Sequence, residues 1–60
     1  MSKVGVGDTG VTLSRLAPMG KVLVNGEEYE AKFCEGFLDR GVEVVVIDID
    51  GNILIVANKE

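Results

Sequence analysis

Apolar and polar residues alternate along most of this chain, and glycine-containing turns interrupt the alternation every few residues, so no stretch reaches the length of an ordinary globular helix. From Gly10 to Leu16, Val11 and Leu13 alternate with Thr12 and Ser14, which predicts a half-buried strand closed by Pro18. Lys21 to Val24 reads as a second, short strand. Asn25-Gly26 follows it, a pair that tolerates the positive φ of a type I′ hairpin turn. A two-residue loop there pairs Val24 with Glu27, Leu23 with Glu28 and Val22 with Tyr29. Val22, Tyr29, Ala31 and Phe33 then share a buried face, and Glu28, Glu30 and Lys32 face water.

Cys34 to Gly41 breaks the alternation. Gly36 and Gly41 frame Phe37-Leu38-Asp39-Arg40, a turn of helix or a structured loop whose two apolar side chains are placed to plug one end of a barrel. Val42 to Ile49 is the longest strand, and Asp50-Gly51-Asn52 turns it into Ile53 to Asn58. The expected architecture is all-β: five strands in a small barrel of the oligonucleotide/oligosaccharide-binding (OB) type, interrupted once between the third and fourth strands, forming one domain over residues 1–60.

Size and composition narrow what can hold such a barrel together. A chain of 60 residues buries only about 60% of its unfolded surface, so its core is marginal. The lone Cys34 excludes an internal disulfide, and with no His and no second Cys a structural zinc site is excluded too. Packing remains: 47% of residues are hydrophobic, and ten Val and four Ile against five Leu favour strands. A net charge of −4 argues against affinity for phosphate backbones. No run approaches the roughly 20 apolar residues of a membrane helix, and the start lacks a signal-peptide pattern. A single thiol suits a reducing compartment.

Candidate chemistry is sparse. Gly5, Gly7 and Gly10 spell the G-x-G-x-x-G dinucleotide fingerprint, but that mechanism needs a strand before it and a helix after it, and here a strand pattern follows; a turn into the first strand is the better reading. Asp48, Asp50 and Gly51 suggest a calcium loop, yet the register puts Val46 and Ala57 where carboxylates are required. Cys34 has no His to activate it, and Thr12 and Ser14 have no Lys or His at a spacing suggesting a dyad. No cofactor, metal or catalytic group is expected. Oligonucleotide binding, the other class considered, needs aromatic platforms and a basic groove. Only Tyr29, Phe33 and Phe37 are aromatic, two of them inward, and the six basic residues are scattered.

The ordered set G-x-x-G-x-T (Gly7, Gly10, Thr12), L-x-P-x-G (Leu16, Pro18, Gly20), V-x-V-x-G (Val22, Val24, Gly26), Y-x-A (Tyr29, Ala31), G-F-L-x-x-G (Gly36, Phe37, Leu38, Gly41), V-x-V (Val44, Val46) and G-x-x-L-x-V (Gly51, Leu54, Val56) resembles the C-terminal domain of NfeD proteins. The resemblance implies a five-stranded OB-fold domain normally attached to transmembrane helices, with a protease domain further N-terminal in longer members. It also implies partnership with stomatin- or flotillin-like membrane scaffold proteins. On that footing the chain is expected to be a non-catalytic interaction module excised from a longer membrane protein. The fragment itself is expected to be soluble, a homo-oligomer is possible, and the cytoplasmic side is a working assignment. A degenerate oligonucleotide-binding domain is the alternative function, and no nucleic acid is the expected partner.

The interaction face follows from the last two strands, which are apolar on both sides. A Gly51-Asn52 turn pairs Ile49 with Leu54 and Ile47 with Val56; an Asp50-Gly51 turn changes the pairs but not the parity. The opposite face carries Val44, Val46, Ile53 and Ile55, the candidate docking face. The family positions Val44, Val46, Leu54 and Val56 fall on opposite faces by parity unless a bulge intervenes. A direct check on the hairpin register is Gly26→Val, which forces a β-branched residue to positive φ and should cost about 1–3 kcal/mol in denaturant unfolding; unchanged stability would contradict the type I′ turn.

Overall fold

The computed structural model describes residues 4–59. Its strands are β1 (Thr9–Thr12), β2 (Met19–Val24), β3 (Glu27–Phe33), β4 (Glu43–Asp50) and β5 (Ile53–Asn58). They close into a barrel in the order β1-β2-β3-β5-β4, with β4 returning to β1. All neighbours are antiparallel except β3 and β5, which run parallel through Glu30↔Ile53 to Phe33↔Val56. Closure leaves no long open sheet edge, which a small all-β chain would otherwise expose.

The β2–β3 hairpin forms as its sequence predicts. Asn25 and Gly26 have φ of 54° and 81°, and Val24↔Glu27, Leu23↔Glu28 and Val22↔Tyr29 are cross-strand pairs. Val22 and Ala31 are fully buried, Phe33 nearly so, and Tyr29 packs against the core from its rim. The β4–β5 turn uses Gly51-Asn52, since Asp50 pairs with Ile53, and Gly51 takes the positive φ.

Three expectations are corrected. The first strand ends at Thr12 rather than continuing to Leu16. Its parity is also the reverse of what simple alternation suggests: Thr12 is buried, whereas Val11 and Leu13 are half-exposed. Gly10 explains this. It lies opposite Val24 on the inner face, where a Cβ would overlap the Leu23 carbonyl and the Val24 side chain. Glycine is required at that close approach, and the residue two positions on must also face inward. Beyond Thr12, Ser14 bends the chain and takes the Lys21 N–H on its hydroxyl at 3.1 Å.

Second, Phe37 and Leu38 do not both plug the barrel. Leu38 does, bridging Leu16 with both side chains in the core, but Phe37 is 53% exposed. The segment that carries them is a loop without a helical turn.

Third, the face drawn through Val44, Val46, Ile53 and Ile55 is split. Val44 and Val46 are core residues, at 0% and 1% exposure, while Ile53 and Ile55 point outward and are half-buried. The register of β4 against β5 shifts between Val46 and Asp48: Val46 pairs with Val56, but Asp48 pairs with Ile55. Ile47 is the extra residue, so Ile47 and Asp48 follow one another on the outside. That single insertion puts Val44, Val46, Leu54 and Val56 together in the interior.

Charge substitutions should therefore separate by the bulge and not by simple parity. Val46→Lys and Leu54→Lys place an ammonium in the packed interior and should abolish cooperative folding. Ile47→Lys and Ile55→Lys should keep a cooperative melt within about 1 kcal/mol of wild type. Circular dichroism melts decide it.

Candidate interaction surface

Small barrels are filled by their own side chains, and this one is: Leu16, Val22, Val24, Val44, Val46 and Val56 occupy the axis with almost no exposure. Chemistry between this chain and anything else therefore takes place on its outside or at its ends.

The glycine-rich segment before β1 is structural. The Asp8 carboxylate accepts hydrogen bonds from the Gly5 N–H at 2.9 Å and from Asn25 Nδ2 at 3.0 Å, tying this segment to the β2–β3 turn. The Gly7 N–H donates to the Val46 carbonyl and the Val46 N–H to that of Asp8, both at 2.8 Å, docking the same segment on β4. No helix follows it, so the dinucleotide geometry is not met. Asp48 uses Oδ1 to accept from the Ile49 N–H at 2.8 Å. Cys34 is exposed in the β3–β4 loop.

Thr12 has a role that sequence reasoning missed. Its hydroxyl donates to the Asp39 carbonyl at 2.7 Å and accepts from the Val42 N–H at 2.9 Å. Its main chain adds two bonds, Thr12 N–H to the Val42 carbonyl and Gly41 N–H to the Thr12 carbonyl. One buried side chain thus holds the return of the long loop against β1. The signal was a polar residue at a position that the Gly10 close approach forces inward. At the same end the Arg15 guanidinium sits 4.3 Å from the Phe37 ring centroid, a cation–π contact that partly covers the exposed ring.

The outer faces of β4 and β5 carry Val45 opposite Ala57, Ile55 opposite Asp48, and Ile53 opposite Asp50. On the other side of β5, Ile53 and Ile55 register with Glu30 and Lys32. The two isoleucines of the expected face that remain outside therefore sit in a charged surround. Ile47 and Ile49, which parity alone had placed on the other side, are 51% and 37% exposed. Two clefts open at the barrel ends. One of about 380 Å³ lies between β3 and the β4–β5 turn, and one of about 340 Å³ is lined by Gly41, Val42, Glu43 and Asn58.

A closed five-stranded barrel with a filled interior and aliphatic residues set among charges on its outside defines a compact β module. The chain belongs to the NfeD family: residues 5–57 match the model of the NfeD-like C-terminal, partner-binding domain. It is similar to the C-terminal domain of stomatin operon partner protein 1510-C from Pyrococcus horikoshii, at 32% identity and a TM-score of 0.89 over 97% of this chain and 98% of that one. It is also similar to the soluble domain of a Corynebacterium glutamicum membrane protein implicated in regulation of membrane protease activity, at 29% identity and a TM-score of 0.83, covering 92% of each chain. The soluble domain of the Bacillus subtilis NfeD protein YuaF shares the fold at 23% identity and a TM-score of 0.78, over 90% of this chain and 73% of that one. No curated protein sequence matches the chain. No helix among the described residues is long and apolar enough to cross a membrane.

Thr12→Val keeps the shape of the side chain but leaves the Asp39 carbonyl and the Val42 N–H without their partner. It should cost about 1–3 kcal/mol. Amide exchange at Val42 should accelerate more than at Val22; uniform acceleration would contradict a local clamp.

Proposed function

We propose that this chain is a non-catalytic interaction module of an NfeD-like membrane protein, and that it binds a stomatin- or flotillin-type membrane scaffold protein. The observation that carries the reading is the match of residues 5–57 to a family described as partner-binding. A relative of 32% identity that is a stomatin operon partner supports it. The filled barrel supports the non-catalytic part, because an enzyme of this size would need a pocket with convergent polar groups. In this reading the chain is one domain of a longer protein, held at a membrane by segments outside residues 1–60. It works on the cytoplasmic side, where an exposed free thiol such as Cys34 stays reduced.

The test is capture of a purified stomatin- or flotillin-type protein in detergent on the immobilised domain, with single-stranded DNA titrated at low salt in parallel. Saturable capture of the scaffold protein, with no retention of DNA, is expected. Absence of capture, or DNA binding that collapses as salt rises, would overturn the reading.

A further inference from the structure

We propose that the acidic end of the barrel docks an extended, cationic segment of the partner that presents an aliphatic side chain to the cleft beside Tyr29; this deepens, and rests on, the interaction role above. Strand directions gather at this end the segment 4–8, the Asn25-Gly26 turn, the start of β3 and the β4–β5 turn. Glu27, Glu28, Asp48 and Asp50 are all exposed here, whereas at the opposite end the exposed acids Glu35, Asp39 and Glu43 are balanced by Arg15, Arg40 and Lys59. Asp8 is not among the docking groups, because its Oδ2 ties the segment before β1 to Gly5 and Asn25; Asp48 accepts on Oδ1 only from the adjacent Ile49 N–H. Set between these acids are the most exposed aliphatics of the barrel, Val6 at 65% and Ile47 at 51%, with Ile49 at 37%. Apolar side chains left in water within a rim that is mainly acidic, with Lys21 its one cation among the cleft residues, are the anatomy of an interface core with a polar rim.

The cleft of about 380 Å³ supplies the socket. Val4, Ile49 and Leu54 give it an apolar lining, with Tyr29 beside them; its charged residues are Glu28, Glu30 and Lys21, the last lying opposite Glu30 across β2 and β3. Its size suits a single aliphatic side chain with room for the stem of a lysine or arginine along its wall. Next to it, β4 offers a short edge. The pairing of β1 with β4 stops at Val45, and among the described residues the segment before β1 bonds only as far as Val46. Over Ile47–Asp50, β4 is paired with β5 on one side, and no strand of the described residues pairs it on the other. An extended segment fits such an edge, with side chains alternating between the socket and the carboxylates. Charge selects the occupant. A second copy of this chain laid on the same edge would bring Asp48 and Asp50 against their own counterparts, a repulsive pairing that strands use to prevent self-association. A lysine- or arginine-bearing segment meets the same carboxylates as a complement.

An NMR titration of the isotope-labelled domain with a short synthetic peptide alternating valine and lysine tests this, with a glutamate-for-lysine peptide as control. The lysine peptide should shift Tyr29 and Ile47 to Asp50. The double variant Asp48→Asn, Asp50→Asn should bind it about fivefold more weakly, as expected for two exposed ion pairs, and the glutamate peptide should not bind. Equal binding of the glutamate peptide, shifts centred on Arg15 and Phe37, or shifts of the same residues on concentrating the domain alone (self-association) would each overturn the proposal. The double variant is also carried into the scaffold-protein capture. Weakened capture supports the surface. Full capture by the variant overturns the surface and leaves the interaction role standing, whereas failure of the wild type to capture overturns the role itself.

Discussion

The bulge at Ile47 decides what this barrel keeps and what it shows. Strand alternation alone cannot bring Val44 and Val46 of β4 to the same side as Leu54 and Val56 of β5. One extra residue between Val46 and Asp48 resets the phase, and all four become core. The same insertion turns Ile47 outward beside Asp48 and leaves Ile49 at the open end. Core packing and the composition of the acidic end are thus set by one local irregularity. In a chain whose total stability is small, the four core side chains it delivers are a large part of what opposes chain entropy.

Closure of the barrel depends on two further devices on β1. Gly10 lets β1 approach β2 where any side chain would collide with the Leu23 carbonyl. Thr12 then points inward and fastens the end of the β3–β4 loop through its hydroxyl. Leu16 and Leu38 cover that end of the core, which leaves Phe37 to lie outside under Arg15. The two ends of the molecule are consequently different in kind: at one the core is covered by aliphatic packing and a hydrogen-bonded loop, with acids and bases balanced; the other bears an acidic excess, an apolar-lined cleft and a short strand edge.

How far the sequence reveals this depends on the range of the interactions. The Asn25-Gly26 hairpin is local: turn chemistry and alternation agree, and its register follows residue by residue. The β5 boundaries and a turn at Gly51 are legible for the same reason, while the choice of Gly51-Asn52 over Asp50-Gly51 needs the observed Asp50–Ile53 pairing. What alternation misplaced are positions governed by contacts across the barrel. Thr12 reads as a solvent-facing polar residue until the Gly10–Val24 approach fixes its direction. The candidate face through Val44, Val46, Ile53 and Ile55 assumed unbroken parity, and a bulge leaves no mark in the alternation because Val45 and Ile47 are as apolar as their neighbours. The conflict between the family's V-x-V and L-x-V positions was the one visible sign of it. The parallel β3–β5 pairing and the β1–β4 seam arise from closure and have no local signature.

Family membership and the filled interior together move function to the surface, and the bulge determines which residues that surface holds. Cross-strand NMR contacts along β4 and β5 test this most directly. A bulge at Ile47 requires contacts between Val46 and Val56 and between Asp48 and Ile55, with Ile47 lacking a partner on β5. A contact between Ile47 and Val56, the pairing of an unbroken register, would contradict it.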